Sequence, residues 1–435
     1  MTVLAYLRNK KMKPKVTEEL NFYNSYEEHE IIKYQLKKFN SRWKNIQKEI
    51  PYYQELVNKG IVPKSIESAS DFQQIPILDR PFARNNIDKL INTRKSPDSW
   101  VSTGGSTGTP LKYPSWKEQS VKYEPNIWYA RDFYNITRND KMFRLWGHSH
   151  TLGSGFFKYK KKFMYFIGLP LVGYKRFSAY DLSNERLKEA GNQILKFKPQ
   201  YIIGYSKALF LLAKANENNK MKFHRLNLKA VIGAAEGLDN ENDREFIQDV
   251  FGCPVGMEYG SMETNLIAHT HPSGGFKMIW RDNLIECVDD DNNPSVSGRI
   301  LVTSLYDRAF PLIRYELGDI IQNTKKSQIS VYEFEKIKGR DNDFLMLDKN
   351  TPIHSEGITH AIKLSNKITS YQIRYTQDNV YTIYVTSNEP LSSNEFVGIK
   401  KRLSQVDSRL GKLEIKQVDK LKQTIAGKTK WLVEE

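Results

Sequence analysis

A segment rich in glycine and hydroxyl residues is the first part of the chain whose composition suits a chemical role. It reads Ser102, Thr103, Gly104, Gly105, Ser106, Thr107, Gly108, Thr109, Pro110, Leu111 and Lys112. Glycines let backbone N–H groups approach an anion closely because no Cβ intervenes, and the hydroxyls and Lys112 add donors and positive charge. The segment predicts a phosphate-binding loop, although an ordinary surface loop has a similar composition. It has neither the ending of a Walker A loop nor the glycine pattern of dinucleotide-binding folds.

Two further motifs place acidic and aromatic side chains beside predicted strands. The second motif follows strand-like residues 254–257 and consists of Tyr259, Gly260, Ser261, Met262 and Glu263. Ligands of open α/β sheets bind at the carboxyl ends of strands, where Glu263 could hold a magnesium ion and Tyr259 could stack on a base. In the third motif, 311–319, Asp319 follows a glycine in an expected loop and is suited to accept hydrogen bonds from a ribose diol.

Two polar motifs towards the carboxyl end complete the set. The fourth consists of Gly339, Arg340, Asp341, Asn342 and Asp343, and the fifth of Thr424, Ile425, Ala426, Gly427 and Lys428. Each of the last three motifs alone is also compatible with a turn or a solvated charge cluster. The order and spacing of all five motifs therefore carry the argument.

The segments between these motifs predict the elements that position them. Strands are predicted at 142–146, 201–203, 230–232, 254–259, 284–288, 299–303 and 329–334, and helices at 184–197, 207–216 and 240–251. Strands that alternate with helices favour parallel βαβ units. In 17–60, apolar residues at intervals of three or four predict helices. Asp79 is a predicted helix cap before Arg80 and Pro81.

The polar motif at 339–343 divides the chain into two predicted domains. Residues 1–339 are predicted to form a large α/β domain with a helical lead-in at 1–98. Residues 340–435 form a small α+β domain. Its predicted elements are a strand pair at 371–375 and 381–386, a helix at 393–406 and a strand at 413–418.

Composition narrows the class of protein. The chain has 435 residues, 39% of them hydrophobic and 12% aromatic, which is enough to build a core and excludes a wholly disordered chain. The net charge of +16 suits anionic partners such as nucleotides, acidic lipid or nucleic acid. The two cysteines are too few for a disulfide framework. No stretch reaches the roughly 18 apolar residues of a membrane span, so a cytoplasmic protein is expected.

Taken in order, the five motifs resemble those of the adenylate-forming superfamily, which contains acyl-CoA synthetases, peptide-synthetase adenylation domains and luciferases. The resemblance covers about residues 100–430 and implies a large α/β domain of the acyl-adenylate synthetase type followed by a small mobile α+β domain. Residues 50–53, Arg314-Tyr315 and Gly233-Ala234-Ala235-Glu236 resemble the phenylacetate–CoA ligase branch and, within it, the CapK-like proteins of capsular polysaccharide gene clusters.

The resemblance implies how the large domain would bind ATP and magnesium. The 102–112 loop would bind the β- and γ-phosphates. Residues 233–236, including Ala234, Ala235 and Glu236, would line the adenine pocket together with 259–262. Glu263 would hold the magnesium ion, and Asp319 would bond the ribose hydroxyls.

The resemblance also implies roles for the small domain. Lys428 would be the adenylation lysine, and Arg340 would close over ribose or phosphate. The hinge carboxylate of the relatives falls at Asn342 in this chain, so Asp341 or Asp343 could take that role.

The implied reaction joins a carboxylic or amino acid to AMP and releases pyrophosphate. The acyl group then passes to coenzyme A or to an amine or hydroxyl acceptor, in surface or capsular polysaccharide biosynthesis. Attack of a carboxylate on the α-phosphorus brings two anions together, so a lysine at that point stabilises the charge, and magnesium neutralises the leaving pyrophosphate. An adenylyltransferase that leaves AMP on its product is the first alternative. A nucleic-acid-binding protein is a remote alternative, because no nucleic-acid recognition motif is present.

Histidine pairs and one basic segment are the remaining candidates. His148 follows the strand at 142–146 and is assigned with Tyr205 to the substrate pocket, although the position favours a hydrogen-bonded structural histidine more strongly. The pairs His148/His150 and His269/His271 suggest zinc only weakly, because no four-ligand set is apparent, so zinc is not expected. Residues 158–167 mix four lysines with aromatics, which suits either a solvated turn or a peripheral contact with the inner face of a membrane.

Overall fold

The described residues contain helices at the amino-terminal end, then alternating helices and strands, then a long run of strands and a smaller carboxyl-terminal part. The computed structural model describes residues 3–102, 111–147, 169–235, 238, 241–338, 344–348, 352–363, 365, 367–387, 389–422 and 431–435. The α-helices are α1 Val3–Asn24, α2 Ile31–Glu49, α3 Pro51–Asn58, α4 Ala69–Gln73, α5 Arg80–Asn85, α6 Ile87–Leu90, α7 Lys117–Asp132, α8 Leu169–Leu171, α9 Asn184–Phe197, α10 Ser206–Ala215, α11 Lys220–His224, α12 Glu241–Phe251, α13 Ser355–Lys363 and α14 Ser393–Val406.

The strands are more numerous than the sequence predicts. They are β1 Ser99–Ser102, β2 Lys112–Ser115, β3 Met142–Trp146, β4 Tyr174–Ser178, β5 Tyr201–Tyr205, β6 Ala230–Ala234, β7 Val255–Ser261, β8 Asn265–Thr270, β9 Phe276–Met278, β10 Asn283–Val288, β11 Gly298–Ser304, β12 Tyr315–Gln322, β13 Lys325–Ser327, β14 Ser330–Phe334, β15 Lys336–Lys338, β16 Phe344–Met346, β17 Pro352–His354, β18 Ile368–Tyr375, β19 Tyr381–Ser387, β20 Glu414–Gln417 and β21 Leu432–Glu434.

The amino-terminal helices confirm the predicted helical lead-in. In α2 the apolar residues recur every three or four positions and are buried. Asp79 caps α5 by accepting a hydrogen bond from the Phe82 N–H at 2.7 Å, and a proline lies in the first turn. The cap therefore fixes Arg80 at the first position of α5.

Five parallel strands form one half of a nine-stranded sheet, in the order β4-β3-β5-β6-β7. Every position of β5 and β6 is buried, as is typical of parallel strands covered on both faces. The chain places β4 on one side of β3 and β5 on the other. Ligands of open α/β sheets bind at the carboxyl ends of strands where the strand order reverses in this way, which here is between β3 and β5.

The other half of the large sheet is antiparallel. β8, β9, β14 and β13 extend the sheet beyond β7, with each neighbouring pair antiparallel. β10, β11, β12 and β15 form a separate four-stranded antiparallel sheet. The expectation of parallel βαβ units is therefore correct from β3 to β7 and wrong beyond β7. The strands after β7 follow one another without intervening helices, so short antiparallel connections suffice.

A buried arginine joins the second sheet to the lead-in. Arg314 donates through Nε to the Glu286 carboxylate at 3.0 Å, and the two side chains are 5% and 2% exposed. Its Nη1 donates to the carbonyls of Gln73 and Ile75 at 2.6 and 2.8 Å. Burial raises the pKa of Glu286, and the neighbouring guanidinium counteracts that rise. Arg314 thus fixes the start of β12 against the segment that leads to Arg80.

We expect Arg314→Ala to lower the free energy of unfolding by about 3–5 kcal/mol, because it leaves the buried Glu286 carboxylate without its counter-charge. Chemical denaturation monitored by circular dichroism measures the change. Lys59→Ala is the matched control, since Lys59 pairs with Glu55 at an exposed position and its loss changes stability little. A loss in Arg314→Ala no larger than in the control would contradict this structural role.

The carboxyl-terminal part of the chain builds its own sheet, in the order β20-β19-β18-β21. α13 and α14 pack on it around Ile358, Ile373, Leu403 and other buried apolar residues. The predicted strand pair and the predicted helix at 393–406 are confirmed. The proposed boundary at 340 lies in 339–343, outside the described residues. Among the helices of the described residues, none is long and apolar enough to span a membrane.

Candidate active site

The described residues include part of the predicted site. They contain Ser102, Lys112, Tyr205, Ala234, Ala235, Tyr259, Gly260, Ser261, Met262, Glu263 and Asp319. Other predicted residues lie outside the described residues, namely Thr103, Gly104, Gly105, Ser106, Thr107, Gly108, His148, Glu236, Arg340, Asp341, Asn342 and Lys428. The basic segment 158–167 lies outside them as well.

A β-hairpin carries the glycine-rich segment to the second motif. Ser102 of β1 and Lys112 of β2 are the last register pair before that segment, so its two ends are held side by side. The Lys112 ammonium lies 5.7 Å from the centre of the exposed Trp100 ring. Tyr113, the next residue of β2, donates its hydroxyl to the Met262 carbonyl at 2.6 Å. The first and second motifs are therefore neighbours in space.

Side-chain hydrogen bonds join the second and third motifs. Tyr259 of β7 donates its hydroxyl to the Asp319 carboxylate at 3.1 Å. Asp319 lies within β12 and not in a loop, which corrects the expectation drawn from the preceding glycine. At Gly260 an added Cβ would lie 1.9 Å from the carbonyl oxygen of Asn265, so the turn after β7 can form only with glycine at this position.

Glu263 is buried, and its carboxyl group lies between an arginine and a tyrosine side chain. Its side chain is 2% exposed, and the Arg80 Nη2 lies 2.9 Å from Oε1. The Tyr315 hydroxyl donates to the same oxygen at 3.2 Å. Arg308, also buried, donates to the Glu263 backbone carbonyl and, at 2.7 Å, to the Tyr306 hydroxyl. The sequence predicted the motif that contains Glu263, but it did not predict the two arginines, Arg80 and Arg308, that contact this residue.

Arg80 reaches this carboxylate because its segment pairs with β12. Leu78 N–H donates to the Arg314 carbonyl and Glu316 N–H donates to the Leu78 carbonyl, each at 3.0 Å. Burial lowers the pKa of Arg80, but the Glu263 carboxylate and Tyr315 outweigh that effect, so its pKa lies above the ordinary value. Burial first, and then Glu263, raise the pKa of Tyr315. Arginine and phenol are therefore both protonated donors to Glu263.

The residues near Glu263 fit a magnesium ion only together with a phosphate ligand. No cluster of three or more His, Cys, Asp or Glu that could hold a metal occurs among the described residues. Magnesium is commonly bound by one or two carboxylates together with substrate phosphates. Glu263 can supply one such carboxylate oxygen, so the donor chemistry is suitable for a metal that arrives with a nucleotide.

Two aromatic side chains meet at the carboxyl ends of β3 and β5, where the strand order reverses. The Trp146 and Tyr205 rings lie 4.3 Å apart at their centres, and Gly147 N–H donates to the Tyr205 hydroxyl at 3.3 Å. Tyr205 is fully buried and belongs to the apolar core there. On the neighbouring strand Ala234 is buried, whereas Ala235 is exposed and has a φ of 71°, a left-handed conformation that is uncommon for alanine.

A second buried charge cluster lies next to Tyr259 and has no sequence signature. Glu258 accepts a hydrogen bond from Arg131 Nε at 2.8 Å, and the side chains are 15% and 11% exposed. Burial raises the pKa of Glu258, but Arg131 and His269 outweigh it and the pKa lies below the ordinary value. His269 faces Glu258 across the strands β7 and β8 and donates through Nδ1 to the Thr270 carbonyl, 2.8 Å away.

We expect His269 to make the protein less stable below about pH 6.5. Burial lowers its pKa, whereas Glu258 raises it and Arg131 lowers it further, and the net shift is downwards. As the pH falls through the ordinary histidine pKa, the unfolded chain takes up a proton that the buried imidazole does not, so stability is lost. His269→Gln should reduce the drop in melting temperature between about pH 7.5 and 5.5.

The control for this measurement is His224→Gln. The His224 Nε2 contacts the Asp249 carbonyl at 2.8 Å in an exposed setting. An unchanged pH dependence in His269→Gln, or an equal reduction in the control, would contradict the role of His269.

Arg80, Arg131 and Arg308 are the residues that sequence reasoning missed. Arg80 and Glu263 are 183 positions apart, and Arg131 and Glu258 are 127 apart. No local pattern links such pairs. The cap at Asp79 was the one available signal, because it places Arg80 at the start of a helix.

The whole chain is similar to one curated protein and to solved ligase structures. No profile of a known protein family matches it. Protein CapK of Staphylococcus aureus is 23% identical over 413 residues, which cover 93% of this chain and 89% of CapK. The structure of 2-hydroxyisobutyryl-CoA ligase with 2-HIB-AMP and CoA in the thioesterification state has a TM-score of 0.57 at 15% identity and covers 93% of this chain and 89% of that chain.

An open conformation of the same ligase, with 2-HIB-AMP and CoA, has a TM-score of 0.55 at 15% identity and covers 92% of this chain and 91% of that chain. The predicted fold class and the resemblance to adenylate-forming, CapK-like proteins are thereby confirmed. Placement in the phenylacetate–CoA ligase branch stays a prediction.

Proposed function

We propose that this chain, which has the fold of an adenylate-forming CoA ligase and resembles CapK over nearly its full length, is an ATP-dependent, AMP-forming acid ligase. One observation carries the proposal. The base of the glycine-rich segment, the Tyr259–Glu263 motif and Asp319 are far apart in sequence, yet Tyr113–Met262 and Tyr259–Asp319 hydrogen bonds bring them together.

ATP would lie across the carboxyl ends of β6 and β7. Ala234 and Ala235 with Tyr259–Met262 would border the adenine, and Glu236 would extend this border. Asp319, already an acceptor for the Tyr259 hydroxyl at 3.1 Å, would accept hydrogen bonds from the ribose hydroxyls. The 102–112 loop would donate backbone N–H groups to the β- and γ-phosphates.

Glu263 would hold magnesium when the nucleotide is bound, and the metal would supply positive charge at the leaving pyrophosphate. Tyr315 holds the Glu263 carboxylate in place through its hydrogen bond at 3.2 Å. Arg308 fixes the backbone of the same residue. The chain thereby orients one carboxylate at the site where the phosphate loop and the second motif meet.

In the adenylation step an oxygen of the acid would attack the α-phosphorus of ATP, and the bond from that phosphorus to the bridging oxygen of pyrophosphate would break. Both reactants are anions, so the barrier depends on positioning and on positive charge. Lys428 would supply that charge near the α-phosphate. A preorganised donor of this kind contributes about 3–4 kcal/mol in comparable sites. Asp341, Asn342 or Asp343 would form the hinge and Arg340 would close over the nucleotide.

The acceptor for the acyl group would be coenzyme A, or an amine or hydroxyl. The ligase with the TM-score of 0.57 is a CoA ligase whose structure contains CoA and 2-HIB-AMP. Similarity to CapK supports a product used in surface polysaccharide biosynthesis. His148 and Tyr205 would border the pocket for the acid.

ATP–pyrophosphate exchange with a panel of carboxylic and amino acids tests the proposed reaction. We expect exchange that depends on one class of acid and on magnesium, with AMP as a released product. Mass spectrometry of the acyl product separates the ligase from an adenylyltransferase, because only the latter would retain AMP on the product. Absence of exchange with every acid would contradict the proposal.

Lys428→Ala should slow pyrophosphate exchange by about 100-fold or more, because it removes the cation from the developing charge. The same variant should transfer the acyl group from a preformed acyl-adenylate at a rate near that of the wild type. Lys416→Ala is the matched control, since Lys416 lies on β20 of the same small domain and pairs with Glu414 at an exposed position. Normal exchange in Lys428→Ala would assign the adenylation lysine elsewhere.

A further inference from the structure

The carboxylate proposed to hold the metal is paired with a partly buried arginine. Arg80 and Tyr315 both donate to the same oxygen, Oε1 of Glu263, at 2.9 and 3.2 Å. The Glu263 side chain is 2% exposed and that of Arg80 is 16% exposed. A divalent cation that approached this oxygen would meet the guanidinium within a few ångströms in a poorly solvated setting, where like charges repel strongly.

A second guanidinium strengthens this effect. Arg308 is 2% exposed, and it donates hydrogen bonds to two uncharged groups, the Tyr306 hydroxyl and the Glu263 carbonyl. Two arginines therefore contact the side chain and the backbone of one glutamate. The surroundings of Glu263 carry an excess of positive charge, which opposes a free metal ion and favours an anion.

Arg80 lies where it can exchange partners. It occupies the first position of the short helix α5, and its side chain is partly open to solvent. The buried pair Arg314–Glu286, at 5% and 2% exposure, has no such opening. If Arg80 withdraws, the hydrogen bond from Tyr315 still holds the Glu263 carboxylate.

We propose that Arg80 acts as a charge lock on Glu263, so that a divalent cation binds this carboxylate only when a nucleotide brings negative charge to the site. The inference rests on the proposed function, in which Glu263 is a metal ligand. It adds an order of binding, in which ATP binds together with the metal or before it. Without ATP the metal binds only weakly. Arg80 is then a positioning residue that acts through Glu263.

Binding of Mn²⁺ to the nucleotide-free protein, measured by electron paramagnetic resonance of the free ion, tests the lock directly. Mn²⁺ is a suitable probe because it shares the oxygen ligands of Mg²⁺. The wild-type protein should bind Mn²⁺ weakly without ATP and tightly with ATP. Arg80→Gln should bind Mn²⁺ without ATP about 10-fold more tightly than the wild type or better, because the repelling cation is gone.

Three further variants make the test specific. The double variant Arg80→Gln, Glu263→Gln should lose the gain, which assigns the new binding to Glu263. Arg80→Lys keeps the charge and should bind Mn²⁺ as weakly as the wild type. Arg281→Gln removes a different arginine from a carboxylate pair, with Glu19 at 2.8 Å, and should not increase Mn²⁺ binding.

If Arg80→Gln is less stable than the wild type, thermal unfolding with and without Mn²⁺ provides a second measurement of metal binding. The metal should raise the melting temperature of this variant and leave that of the nucleotide-free wild type unchanged. Folded Arg80→Gln that binds Mn²⁺ no better than the wild type would overturn the lock alone. Unaltered ATP-dependent Mn²⁺ binding in Glu263→Gln would overturn both the lock and the metal role of Glu263.

Discussion

The junction between two sheets is the constraint on which the candidate site depends. β7 belongs to the nine-stranded sheet and β12 to the four-stranded sheet, and the hydrogen bond from Tyr259 to Asp319 joins them at 3.1 Å. Glu263 follows β7 and Tyr315 begins β12, so the same junction sets their 3.2 Å contact. Residues that would bind ribose, metal and phosphate therefore take their positions from the packing of one sheet against the other.

Buried arginine–glutamate pairs serve two different purposes around this junction. Arg314 and Glu286 are almost entirely enclosed, and Arg314 also binds two backbone carbonyls, so this pair fixes the fold. Arg80 and Glu263 have a similar separation, but Arg80 is partly open to solvent. A buried ion pair is weak evidence for stability by itself, because desolvation offsets the attraction. The difference in exposure is what separates a structural pair from one that can respond to a ligand.

Local pattern was sufficient for several elements of the molecule. β3 and the helices α9 and α14 agree with their predicted bounds, because apolar periodicity and capping are local properties. The strands β4 and β12 were missed, since polar residues interrupt them, and β8 was missed although it contains an apolar run at 266–268. In β12 the exposed Gly318 suggested a loop, but pairing with β11 and β15 keeps the chain extended. Tertiary hydrogen bonding overrode the local preference there.

The site was predictable only where its residues form contiguous motifs. Glu263 and Asp319 were proposed because each lies in a recognisable motif, and the structure adds the contact between Tyr259 and Asp319. Arg80 and Arg308 contact Glu263 from distant segments of the chain. A single sequence does not show which distant side chains come together in the fold.

Isothermal titration of ATP with magnesium tests the central claim that these segments form a single nucleotide site. The account predicts heat with a stoichiometry of one ATP per chain for the wild type, and an affinity about 10-fold lower or worse for Asp319→Ala, because a charged acceptor is lost. Asp307→Ala, which removes an exposed carboxylate paired with Arg42, should bind ATP as the wild type does. No heat for the wild type, or an unchanged affinity in Asp319→Ala, would contradict the account.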